Sequence, residues 1–136
     1  NTILDGMTLV GINGSNGGAY KEIYLTGMIG PDGYFVIAHT EASGAISEAA
    51  DMTTHKVDYQ NGPDTIQLRY GGGVVDAVAY GDFGEDEVSA GEGSPVAEPD
   101  SVGHSIGRQS DGVDTDSNSD DFVSFSLPTP GAPNAP

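Results

Sequence analysis

The chain has 136 residues, with 21 Asp or Glu against 4 Lys or Arg and a formal charge of −17. Such an excess of anions excludes ordinary binding to a nucleic-acid backbone, which needs clustered cations, and argues against an anionic membrane surface. Cysteine is absent, which excludes disulfides, thiolate metal sites and cysteine nucleophiles, while 21 Gly and 8 Pro favour short strands and turns over long helices.

In chain order, Met7–Ile12 is a short apolar stretch followed by Asn13-Gly14-Ser15-Asn16-Gly17-Gly18. Gly and Asn tolerate positive φ, so this is turn chemistry, and with Tyr20–Leu25 it predicts a hairpin. After the turn signal Gly30-Pro31-Asp32-Gly33, the wholly apolar Tyr34–Ala38 predicts a strand buried on both faces. Within Glu41–Thr54 the sequence supports one or two helical turns near Ser47–Met52. Thr65–Tyr70 alternates Ile66, Leu68 and Tyr70 against Thr65, Gln67 and Arg69, the period of a half-buried strand. Gly71-Gly72-Gly73 closes a second hairpin onto Val74–Tyr80, where Asp76 implies an edge strand or a hydrogen-bonded polar position.

From Asp82 to Asp121 acidic residues dominate, and Arg108 is the sole cationic Lys or Arg. This segment is too polar to be core and predicts surface loop. Phe122–Leu127 is a last strand, and residues 128–136 form a Pro-rich extended tail. Seven or eight short strands with frequent turns predict an all-β sandwich over residues 1–127. No apolar run approaches about 18 residues, so no membrane-spanning helix is predicted.

The best site candidate is the acidic run Asp111–Asp121. Asp114, Asp116 and Asn118 place oxygen ligands at alternating positions of a flexible loop, which suits calcium. It is no EF-hand, since Ser119 stands at the turn Gly and Phe125 at the bidentate Glu. The same residues also form solvated Asx turns with no ion. Gly103-His104-Ser105-Ile106-Gly107 matches a nucleophile elbow letter for letter. That motif works only at a sharp strand-to-helix turn, and here the context predicts a loop entering a short strand at His104–Arg108. His39, His55 and His104 have no metal-ligand spacing, which argues against zinc. Glu85-Asp86-Glu87 is a solvated charge run, and Asn13-Gly14-Ser15 fits the glycosylation pattern as many Asn-Gly turns do.

Two longer stretches carry a resemblance: Asn61–Tyr80 (NGPDTIQLRYGGGVVDAVAY), and Gly107–Asn134 with its DG.DTD.N..DF and PTPGAPN elements. In this order and spacing they resemble bacterial lamin-tail domains. That resemblance implies an immunoglobulin-like β-sandwich acting as a non-catalytic interaction or structural module of a bacterial exported protein or surface assembly. Its localisation would be extracellular, cell-surface or periplasmic. The alternatives are an accessory domain of a larger secreted nuclease or phosphatase, and a calcium-stiffened adhesin-like domain. No enzymatic activity and no required cofactor are implied.

Complete members of that family carry a further strand pair before the segment matching Asp5-Gly6-Met7, and nothing in Asn1–Leu4 is expected to supply it. Beginning at Asn rather than Met, the sequence is expected to be a processed or partial chain. Protein outside residues 1–136 is therefore expected to pair with or cover a strand near Thr8–Ile12, Tyr20–Leu25 or Thr65–Tyr70, the alternative being that Asn1–Leu4 and the Pro-rich tail cover the gap. The expected partner is a protein, or the remainder of the parent polypeptide; neither nucleic acid nor direct membrane insertion is expected.

Overall fold

Two hairpins build the central sheet, as their turn residues require. A computed structural model describes residues 2–134. Strand β2 (Met7–Asn13) turns into β3 (Ala19–Tyr24) through a loop in which Asn13 Oδ1 accepts from the Ser15 N–H at 3.0 Å and Gly17 sits at φ 71°. Strand β7 (Asp64–Tyr70) turns into β8 (Gly73–Tyr80) through Gly71 and Gly72, at φ 58° and 82°. Two successive positive φ values make the tight turn that matches the twist of paired strands, and glycine adopts them without a Cβ clash. Pairing β2 with β7 yields an antiparallel four-stranded sheet in the order β3-β2-β7-β8.

Among the described residues, three two-stranded pairs complete the fold. Strand β1 (Thr2–Ile3) pairs with β4 (Met28–Ile29), and β9 (Ser105–Arg108) with β10 (Phe122–Phe125), both antiparallel. Strand β5 (Ile37–Ala38) runs parallel to β6 (Met52–Thr53). Two short helices, α1 (Gly44–Ala49) and α2 (Asn118–Asp121), lie between them. The fold is all-β and sandwich-like. No helix among the described residues is long and apolar enough to cross a membrane.

Side chains alternate across the sheet, so register assigns each residue to a face. On one face Leu9 stands between Ile23 and Leu68, and Gly11 beside Ile66. Half of this face carries the main core, where Leu4, Ile23 and Leu25 are buried among Phe35, Ile37, Met52, Val57 and Tyr59. Gly11 is required there: a Cβ would stand 3.0 Å from the rings of both Tyr20 and Tyr59. The opposite face buries Val10, Ile12, Thr65, Gln67, Ala77 and Ala79.

That second face is covered by the acidic loop, through polar contacts. The Ala90 N–H donates to Thr65 Oγ1 at 3.1 Å, Gln67 Nε2 donates to the Ala90 carbonyl at 2.9 Å, and the Val88 N–H donates to the Gly14 carbonyl at 2.7 Å. The segment expected to be mostly surface loop thus packs on this face, and it buries Val96, Asn118 and Asp121.

Other expectations are corrected as well. Of Tyr34–Ala38 only Ile37 and Ala38 are strand, because the Val36 N–H is taken by the Asp51 carboxylate at 2.7 Å and its carbonyl by the Asp51 and Met52 N–H groups. Asn1–Leu4 were not expected to supply the further strand pair; within them Thr2–Ile3 forms a two-residue strand on Met28–Ile29 and Leu4 enters the core. Strands β2 and β7 are interior, so neither Thr8–Ile12 nor Thr65–Tyr70 offers an open edge. The Pro-rich tail folds back: the Ala132 N–H donates to the Thr129 carbonyl, and Asn134 Nδ2 donates to the Arg108 carbonyl at 3.1 Å. Ala135 and Pro136, the end of that predicted tail, lie outside the described residues.

Candidate functional site: an arginine-centred acidic cluster and an open apolar cleft

Strand β9 points Arg108 at the edge strand β8. Its Nη2 donates to Asp76 Oδ2 at 2.9 Å and its Nη1 to the Val113 carbonyl at 2.9 Å, while Asp114 Oδ1 and Asp121 Oδ2 each lie 3.8 Å from Nη1. The guanidinium carbon stands 4.6 Å from the centroid of the Phe122 ring, a cation–π contact. Asp76 is therefore both an edge residue and a hydrogen-bonded one, as its place in the sequence predicted.

Asp76, Glu92 and Asp114 bring carboxylate oxygens within 4.8 Å of one another. Partial burial, and then the neighbouring Asp76, Asp114 and Asp116 carboxylates, push the Glu92 carboxyl up to about 7. Asp121 is shifted the other way, held below the usual carboxylate range by hydrogen bonds from the Thr115 hydroxyl (2.7 Å) and the Thr115 N–H (2.8 Å).

The calcium set Asp114, Asp116 and Asn118 is not assembled as predicted. Asn118 is 1% exposed. Its Oδ1 accepts from the Ala79 and Glu92 N–H groups, each at 2.9 Å, and its Nδ2 donates to the Ala77 carbonyl at 2.9 Å. Its oxygen is already occupied, and the side chain is a staple on the edge of β8. Asp116 is exposed at φ 59°, its N–H donating to Asp114 Oδ1 at 3.0 Å, an Asx turn. Of the three, Asp114 alone joins the carboxylate cluster. Asp76, Glu92 and Asp114 could offer oxygens to a cation, but Arg108 already supplies positive charge there.

Beside this cluster lies a cleft of about 880 Å³, between the sheet face carrying Ile66, Leu68 and Val78 and a wall formed by residues 98–99, 101–104, Ile106 and Phe122. Ile66, Leu68 and Val78 are only half-buried, while the smaller Ala77 and Ala79 and the polar Thr65 and Gln67 on the other face are buried. Val102 on the opposite wall is fully exposed. Half-buried large apolar side chains on both walls mark a surface suited to burial against another molecule.

Ser105 lies within β9, paired with Phe125, so the nucleophile-elbow geometry is absent. His104 hydrogen-bonds Asp100 through Nδ1, Asp100 also accepts from Ser124 Oγ at 3.0 Å, and His104 lines the cleft. His39 and His55, remote in sequence, meet edge-on with ring centroids 5.6 Å apart. Chain order gave no sign of either arrangement, nor of Arg108 as the hub of the cluster. The lone cation in a long acidic segment was the one available signal.

Comparison with known protein families, curated proteins and solved structures finds no match.

Proposed function

We propose that this chain is a non-catalytic interaction or structural module of a bacterial exported protein or surface assembly, of the lamin-tail type. The observation that carries the reading is the open apolar cleft, whose floor of Ile66, Leu68 and Val78 is left half-covered by the chain's own residues. Protein from outside residues 1–136, either the rest of the parent polypeptide or a neighbouring subunit, completes that surface. The sequence resemblance supports the same reading, and no cofactor is needed for it. With a charge of −17 the domain would not carry nucleic acid itself.

The test is an activity and assembly measurement on the native protein. Phosphodiester and phosphomonoester substrates should show no turnover by this chain, and amide exchange at Leu68 and Ile106 should slow when the chain is joined to its native polypeptide or assembly. Turnover, or equal exchange in the free and joined forms, would overturn the reading.

A further inference from the structure

The β9–β10 pair has an outer edge that borders the cleft. The Gln109 N–H donates to the Asp121 carbonyl at 2.9 Å, which sets the phase of the antiparallel ladder. Alternate residues in such a ladder direct both peptide groups to the partner strand, so Gly107 and Ser105 face β10 while Arg108 and Ile106 turn theirs outward. Asn134 occupies the outward carbonyl of Arg108, and the His104 N–H is taken by the Ser101 carbonyl. Between these two closures the peptide groups of Ile106 have no partner among the described residues, and the Ile106 side chain lines the cleft. A half-buried edge with outward peptide groups beside an apolar floor is the geometry of strand addition, in which backbone pairing fixes direction and alternate side chains fill the floor.

Charge selects the occupant. Glu98 lines the cleft, Asp76 there is already paired with Arg108, and the domain carries 21 acidic residues against 4 Lys or Arg. A second copy of this chain would bring the same excess of anions and be repelled. We propose that the cleft seats a short extended segment of a cationic partner polypeptide, paired with β9 at Ile106, apolar at every second position and flanked by lysine or arginine. This rests on the interaction-module reading above and specifies its partner.

The probe is a synthetic peptide alternating valine and threonine with paired lysines at both ends. It is compared with a version ending in paired glutamates and a version interrupted by proline. The expected result is binding of the lysine peptide with slowed exchange at the Ile106 amide, and no such binding by the other two. Val102→Lys, at a fully exposed position of the cleft wall, should weaken the lysine peptide by at least about tenfold and leave the melting temperature unchanged. Equal binding of all three peptides, binding of small apolar dyes without any peptide, or no binding would each overturn the proposal. Hydrolytic assays on the same sample keep the two readings apart: turnover overturns the module itself, whereas missing peptide binding without turnover overturns this partner alone.

Discussion

Arg108 donates from Nη2 to Asp76 Oδ2 at 2.9 Å, joining the β9–β10 ribbon to the edge of the main sheet across 32 positions of sequence. The Asp114 and Asp121 carboxylates each lie 3.8 Å from Nη1, so the guanidinium serves three acidic groups. Its fork geometry and its stacking on Phe122 both matter, and an ammonium reproduces neither.

Arg108→Met is expected to lower stability by about 2 kcal/mol, because it leaves half-buried carboxylates without their cation. Arg108→Lys should recover less than half of that loss in urea unfolding. The same pair of proteins tests calcium. Excess calcium should leave the melting temperature of the parent chain unchanged, and should raise that of Arg108→Met, where Asp76 and Asp114, beside Glu92, have lost their positive partner. A calcium shift in the parent chain would show that the cluster binds metal despite Arg108.

Asn118→Leu should cost about 2–4 kcal/mol, since three backbone groups lose partners in a position that water does not reach. Faster amide exchange at Ala79 and Glu92 would locate the damage. Gly91→Ala should act at the same place, because its Cβ would stand 2.5 Å from Asn118 Oδ1 and 2.6 Å from the Ala79 nitrogen.

The pH profile has two opposing limbs. Glu92 has its folded pKa raised to about 7, so between its unfolded value and about 7 the folded state binds the extra proton. Stability from this group is therefore lost as pH rises towards and past 7. Asp121 and Asp100 have lowered pKa values, so their stability is present above the unfolded value and lost as pH falls through the folded one. Glu92→Gln should accordingly be more stable than the parent at pH 8, by about 1 kcal/mol in this solvent-screened position. The difference should shrink on acidification towards pH ~4.5. Melting curves across that range check the sign, and a difference that grows on acidification would contradict it.

At physiological salt the chain should not retard duplex DNA in a gel, because its −17 charge repels the phosphate backbone. Retardation that weakens with added salt would contradict this.

Both hairpins of the main sheet are legible in the sequence. Gly71-Gly72 and the Asn13–Gly18 run are turn chemistry, and alternation in Thr65–Tyr70 sets a strand period within a few residues. Alternation also says that the two faces of β7 differ, but not which one is covered. The apolar residues Ile66 and Leu68 ended at an open cleft, and Thr65 and Gln67 were buried, because both bond the backbone of Ala90 from the acidic loop. The spacing of Asp114, Asp116 and Asn118 along the chain fits a cation loop. What removed Asn118 from that set was the Ala77 carbonyl, 41 positions away, together with the Ala79 and Glu92 N–H groups. Turn and strand preferences are short-range properties of φ, ψ and side-chain period, so chain order carries them. The partner of a polar side chain is whichever donor or acceptor the tertiary fold brings within 3 Å, and that depends on segments whose approach no local pattern encodes.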